Sequence, residues 1–370
     1  MTPRSDKLLL YILIIILTGI IINLSNNIQV SATSSDLTEN DEHNSLQKLC
    51  NHSIINCLSI FLHIDEERGE NRINISSIID LVNSTRMEST IDILSSFHTR
   101  HTKSHNLEKV VDWLKIELQN ICADKVFLQN YTRMDQNKTL HLNNIICKKQ
   151  GVSSSPYNNT IIIGAHYDSR SEKINDTEVR APGADDNASG VSALLELAHI
   201  LIPMRLNNNI EFVLFSGEEQ GQWGSFNFVK NLDDNKTDGR VIELYLNLDM
   251  IGYPPSSDQT NKVIVEYDVG NKHVKNDKIS KEVALFIQQI ASDYTNLRAV
   301  LGKLGNSDFN PFEALGYTVI GMHDGGENYN PNYHKSSDTA NTLDTEYFTS
   351  ITRMTLATIL KLDKLNKYMN

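Results

Sequence analysis

The sequence predicts an α/β fold: a mixed, mainly parallel central β-sheet flanked by helices on both faces, in one main domain over residues 73–370. Three observations lead there. From about Ile75 onwards, apolar strand-like runs alternate with segments of helical period, the pattern of a parallel sheet covered on both sides. The run NTIIIGAHY is almost continuously apolar, as a central strand buried on both faces must be. Finally, IIIGAHY, IEFVLFS and LYLNLDM each stop at a polar cluster, and open α/β sheets hold their sites beyond the carboxyl ends of strands.

The elements follow in order. ISSIIDLVNS, STIDILSSF and NLEKVVDWLKIELQNI place apolar residues three and four apart and read as helices. KVFLQNYTR and LHLNNIICKK read as strands, followed by the central strand NTIIIGAHY. After the acidic turn PGADDNASG, Ala188 to Ile202 reads as a helix that Pro203 ends. IEFVLFS is then a strand, WGSFNFVKNL a helix and VIELYLNLDM a strand. KVIVEYD is a further strand and KISKEVALFIQQIASDY a helix. FNPFEALG and YTVIGM form a helix–strand pair, and Thr345 to Leu365 forms a closing helix.

A chain of 370 residues can bury a large core, and 40% hydrophobic with 22% charged residues marks an ordinary globular composition. The net charge of −12 and the lack of a Lys/Arg block exclude a nucleic-acid footprint. Residues 1–32 stand apart: Arg4 and Lys7 precede an apolar run, and Val30-Ser31-Ala32 resembles a small-residue cleavage site. That layout is a signal peptide, or a signal anchor if the run over residues 8–24 stays in the membrane. Either way the remainder is expected outside the cytoplasm, secreted or tethered to the outer face of the cell membrane. Residues 33–72 read as a polar linker and N-terminal extension.

Glycosylation sequons at Asn51, Asn74, Asn83, Asn130, Asn137, Asn158, Asn175 and Asn235 agree with export. Asn187 begins another, beside Asp186, where no glycan is expected. Cys50, Cys57, Cys122 and Cys147 allow three pairings, or none if the thiols are free and buried. Short loops close most easily and favour Cys50–Cys57 with Cys122–Cys147. The oligomeric state is left open.

The polar clusters at the strand ends suggest a hydrolytic metal site. His166, Asp186, Glu219, Asp249 and His334 offer nitrogen and oxygen ligands, and a shared carboxylate can bridge two ions. Asp168 lies two residues beyond His166 and so faces the same side, within reach of the second imidazole N–H. Glu218, next to Glu219, suits a general base. Each residue alone has an ordinary reading: a solvated histidine, a helix-capping Asp186, a charged helix start at Glu218-Glu219. Their joint placement at successive strand rims favours the site. His98, His101 and His105 also have helix-like spacing but lack nearby carboxylates, and read as structural. HExxH, GxSxG and a phosphate-cradling glycine loop are all missing.

GAHYDS, PGADDNASG, SGEEQGQWGS, NLDMIGY and YHKSSDT resemble the five metal-site motifs of the secreted co-catalytic zinc aminopeptidases, metallopeptidase family twenty-eight, of the bacterial leucyl aminopeptidase type. The resemblance runs in order from about Ile75 to the C-terminus. It implies the zinc-exopeptidase, phosphorylase/hydrolase-like form of the fold and two zinc ions per chain. His166 and Asp249 would hold one ion, Glu219 and His334 the other, and Asp186 would bridge them. It also implies Glu218 as general acid/base, Asp168 as the carboxylate on His166, and a cis peptide at Asp186–Asn187. Met250, Tyr329 and Tyr333 match positions lining the family's substrate pocket, although core packing explains each as well. The bacterial enzymes carry a cysteine pair near that pocket, and the region from Leu301 to Asp308 here has none. The expected activity is hydrolysis of the N-terminal residue from peptides or proteins. A carboxypeptidase, a glutaminyl cyclase or a non-catalytic receptor on the same fold are the alternatives.

Overall fold

The computed structural model describes residues 74–367, apart from residues 137, 153–157, 235–239, 256–260, 271 and 326–329. The expectations for residues 1–72, for Cys50 and Cys57, and for Tyr329 therefore lie outside the described residues. Among the described residues, no helix is long and apolar enough to cross a membrane.

Helices α1 (Ile75–Ile79) and α2 (Ser84–Ser96) are separated at Asn83, whose side chain accepts the Arg86 N–H and restarts the helix. Helix α3 (Leu107–Cys122) buries Val110, Val111, Leu114 and Leu118 along one stripe. Strands β1 (Val126–Asp135) and β2 (Lys138–Lys149) form an antiparallel hairpin. Cys122 is bonded to Cys147 on β2, as short-loop closure favours. Strand β3 (Asn158–His166) leads through the turn at 184–189 into α4 (Gly190–Leu201), and β4 (Asn209–Phe215) leads into α5 (Trp223–Asp234). Then come β5 (Arg240–Leu248), β6 (Lys262–Tyr267), α6 (Asp277–Tyr294), β7 (Arg298–Lys303), α7 (Phe309–Ala314), β8 (Val319–His323) and α8 (Thr345–Lys367).

The strands form one sheet in the order β1-β2-β4-β3-β5-β8-β6-β7. The pairs β3–β4, β3–β5, β5–β8 and β6–β7 are parallel, while β1–β2, β2–β4 and β6–β8 are antiparallel. The sheet is thus mixed and mainly parallel. Strand β7, RAVLGK, had no sequence signal: it is a short edge strand with only Ala299 buried. Its register is set by β6 beside it, with Val263 opposite Ala299.

The period-2 rule sorts the central strands between two cores. Ile161, Ile163 and Ala165 of β3, with Phe212 and Leu214 of β4 and Leu244 and Leu246 of β5, pack into the larger core with α4, α6 and α8. Ile162, Val213, Phe215 and Tyr245 point the other way, onto α5 and α7. That second core is aromatic: Phe312 stacks on Tyr245 with centroids 4.0 Å apart, and Phe215 meets Phe228 edge-on at 5.6 Å. Both faces of the three middle strands are therefore sealed. Their carboxyl ends, side by side in the order β4-β3-β5, are left to carry polar groups.

Candidate metal centre

Strand β3 delivers His166 at its last residue, the turn after β4 delivers Glu218 and Glu219, and the turn after β5 delivers Asp249. Because β3 lies between β4 and β5, these residues converge on one spot. Asp186 arrives from the turn before α4 and His334 from the loop before α8. Two of the positions near the ligands hold the left-handed backbone that L side chains rarely adopt: Met250 at φ 54° and His334 at φ 55°. The peptide Asp186–Asn187 is cis.

Asp186 turns one oxygen to each imidazole. Its Oδ1 lies 3.2 Å from His166 Nε2, and its Oδ2 lies 3.0 Å from His334 Nε2. Asp249 Oδ1 is 3.3 Å from His166 Nε2, and Glu219 Oε2 is 3.1 Å from His334 Nε2. Two ligand groups result, His166–Asp186–Asp249 and Asp186–Glu219–His334, each with its donor atoms within 4.8 Å of one another. A tetrahedral ion with bonds of about 2.0–2.1 Å spaces its ligand atoms by about 3.3–3.4 Å, so both groups fit zinc. His334 Nε2 and Glu219 Oε1 are buried and have no aligned hydrogen-bond partner, as expected of groups reserved for a cation.

The electrostatics agree. Burial by itself would lower the affinity of His166 for a proton, yet Asp249, Asp168 and Asp186 raise it well above the ordinary histidine range. His334 behaves alike: burial opposes its charge, but Asp186 and Glu219 push it up to about 9. Burial would raise Asp186, and the two imidazoles instead hold it far below the carboxylate range. Burial raises Glu219, with Asp186 adding to the effect. Protons here stand in for the positive charge that this ring of carboxylates requires.

Glu218 is raised well above the ordinary value, first by burial and then by Asp308, Asp249 and Glu219, with His166 opposing. A carboxyl poised in this way suits proton transfer. Asp168 does something the sequence did not show. Its carboxylate is 3.7 Å from His166 Nδ1, which instead donates to the Asp168 main-chain oxygen at 3.2 Å. The two carboxylate oxygens accept the Glu218 and Glu219 N–H groups, each at 3.2 Å. Asp168 thus ties the His166 strand to the Glu218-Glu219 turn.

Several supporting residues lie outside the site residues expected from the sequence. Arg100 is fully buried and donates to Tyr167 O (2.8 Å), Leu94 O (3.1 Å), Gly183 O (2.8 Å) and Pro182 O. It grips the chain on both sides of the loop joining His166 to Asp186. Asp185 accepts from Gly252 N at 2.8 Å and Asn330 Nδ2 at 2.7 Å, linking the Asp249 and His334 segments. Asp338 accepts the Asp185 and Asp186 N–H groups. Ser307 Oγ donates to Asp249 Oδ2 at 2.6 Å. Asp308, buried beside Glu218 and raised by burial to about 7, accepts from Ser225 Oγ. Asp185 and Asp338 lie inside the recognised motifs, and adjacency to ligands could have flagged them.

Met250 is buried and Tyr333 is half-buried, its ring stacked on His334 with centroids 3.6 Å apart. The structure does not bring His98, His101 and His105 together as ligands. His98 Nε2 donates to Glu178 O, His101 Nε2 donates to Ile174 O, and His105 pairs with the Glu178 carboxylate. All three fasten the loop that follows Asp168. Asn187 is fully buried with Nδ2 donating to Leu248 O, so its sequon is closed to glycosylation.

Comparison with known proteins agrees with this geometry. A probable zinc metalloprotease of Leptosphaeria maculans is 26% identical over 338 residues, covering 78% of this chain and 76% of that protein. Leucine aminopeptidase 1 of Sclerotinia sclerotiorum is 27% identical over 299 residues, covering 78% and 74%. The crystal structure of LapB from Legionella pneumophila shares the fold with a TM-score of 0.66 at 21% identity, over 90% of this chain and 93% of that one. The family model for peptidase family M28 matches residues 144–359, more than half of the sequence, and the chain belongs to that family.

Proposed function

We propose that this protein is a zinc-dependent aminopeptidase that removes the N-terminal residue from peptides, with two ions held by His166, Asp186, Glu219, Asp249 and His334. The observation that carries the reading is Asp186, which faces His166 with one oxygen and His334 with the other. Asp249 and Glu219 complete the two groups. Bound zinc would supply Lewis acidity, lowering the pKa of a water and polarising the scissile carbonyl.

The chain's own residues do the rest. Glu218 accepts a proton from the attacking water and returns it to the leaving amine. Asp168 holds Glu218 and Glu219 by their main-chain N–H groups, so base and ligand keep a fixed relation. The carboxylates around the cluster attract a protonated α-amino group, which favours a free N-terminus over an internal peptide bond. Met250 and Tyr333, beside the ligands, offer apolar contact to the first side chain.

Export completes the proposal: residues 1–32 act as a cleaved leader or as an anchor through residues 8–24, placing the domain outside the cytoplasm. The sequons and the Cys122–Cys147 disulfide support an oxidising compartment. The test uses protein from about Thr33 onward, with matched free and N-acetylated peptides, zinc or chelator, and mass spectrometry of the products. Stepwise loss of first residues from free peptides only, abolished by chelator, is expected. Loss from the C-terminal end, or a chelator-resistant reaction, would refute the reading.

A further inference from the structure

Beside the ligand Glu219 stands a cation that hydrolysis as described does not use. Arg170 follows Asp168 by two residues. Its Nε donates to Glu219 Oε2 at 2.9 Å and its Nη1 to Ser171 O at 3.2 Å, while Nη2 has no hydrogen bond among the described residues. The side chain is 20% exposed, so the guanidinium reaches solvent beside a buried carboxylate. Its partner Glu219 faces His334 Nε2 at 3.1 Å, which places Arg170 on the Glu219–His334 side of the cluster. The segment is anchored there: Arg180 donates to Ser336 O, and Lys335 lies 3.9 Å from Glu172.

Charge counting shows what Arg170 can do. Two divalent ions would offset much of the negative charge of the carboxylates Asp186, Glu219 and Asp249 that face them. Glu219 would then be committed to an ion, which frees the guanidinium beside it to meet a further anion. A guanidinium with Nη2 free and one further Nη1 hydrogen offers the forked donor geometry that matches a carboxylate.

We infer that Arg170 is a specificity-determining residue that binds a carboxylate on the substrate. The carboxylate comes either from the C-terminus of a very short peptide or from an acidic side chain next to the scissile bond. The inference rests on the exopeptidase reading above. A charge-assisted hydrogen bond of this kind corresponds to roughly a ten- to hundredfold preference for the acid over its uncharged counterpart. Lysine at this position would keep the charge without the fork and retain only part of the preference.

The experiment compares zinc-loaded wild type, Arg170→Gln and Arg170→Lys on two substrate pairs. One pair is leucyl-alanine and its C-terminal amide; the other is glutamyl-alanine amide and glutaminyl-alanine amide. The quantity read is the acid-to-neutral ratio of kcat/KM within each pair, so a general loss of rate cancels. Calorimetric binding of the same compounds to Glu218→Gln, with and without Arg170→Gln, reads recognition without turnover. The expected result is an acid preference in one pair, which identifies the source of the carboxylate. Arg170→Gln abolishes it in both rate and binding. Equal ratios in wild type and Arg170→Gln overturn the inference and leave Arg170 as a support for Glu219 alone. If wild type cleaves none of the peptides, the exopeptidase reading fails instead. The calorimetric arm then still decides Arg170, and equal binding of acid and neutral forms overturns its role.

Discussion

Replacing Arg100 with methionine is the most demanding test of how the centre is held. The side chain is fully buried, and burial lowers its pKa only to about 10, so it stays charged. Its removal takes their side-chain partner from the carbonyl oxygens of Leu94, Tyr167 and Pro182, each costing about 1–3 kcal/mol if left without a partner, while Gly183 O keeps the Ala188 N–H. Water entering the vacated volume would satisfy some of them, so a net loss of about 3–5 kcal/mol is expected. At about 2–4 °C per kcal/mol for a domain of this size, Tm should fall by about 6–20 °C. The assay is a thermal melt of the zinc-saturated protein, with Arg180→Met as an exposed control expected to melt as wild type does. Arg100→Lys, which cannot reach all four oxygens, should fall between. A melt of Arg100→Met within about 2 °C of wild type would refute the reasoning, because three buried carbonyls would then have lost their partner at almost no cost.

Other outcomes follow from the same geometry. Chelation should lower Tm by about 10–20 °C, since two sites saturated at about a hundred times Kd contribute about 2.7 kcal/mol each; differential scanning fluorimetry should show recovery with zinc and none with magnesium, whose preference for an oxygen octahedron these imidazole sites do not meet. Glu218→Gln should retain its zinc by elemental analysis while kcat falls by about 10²–10⁴-fold; near-normal turnover would remove Glu218 from the mechanism. His101 is neutral in the fold, its Nδ1 accepting Lys103 N–H at 3.1 Å and its Nε2 donating to Ile174 O, and burial holds its pKa below 6.5. The unfolded chain therefore binds more protons in the window below 6.5, and stability is lost as pH falls through it. Urea titrations should show that loss shrinking in His101→Gln.

The middle of the sheet was legible because its strands are long apolar runs sealed on both faces: Ile161 to Ala165 and Ile210 to Phe215 admit few alternatives. The ligands were legible because strand ends converge, so that His166, Glu219 and Asp249 needed only their positions in the chain to be placed together. Strand β7 was not, since Arg298, Gly302 and Lys303 blur its pattern and its pairing with β6 is a tertiary choice. Arg100 was illegible for a different reason. Four main-chain oxygens, two of them more than eighty residues away, explain its burial, and backbone acceptors leave no mark on a sequence. Asp168 lay between these cases. Its position beyond His166 predicted a role at the site, but its partners, the amides of Glu218 and Glu219, become visible only once β3 and β4 lie side by side.

The bridging role of Asp186 is tested most directly by anomalous diffraction at the zinc edge, on crystals of the zinc-loaded protein. Two peaks about 3.5–4 Å apart are expected, one against His166 and Asp249 and the other against Glu219 and His334, with Asp186 between them. A single peak, or two that do not share Asp186, would contradict the two-ion centre.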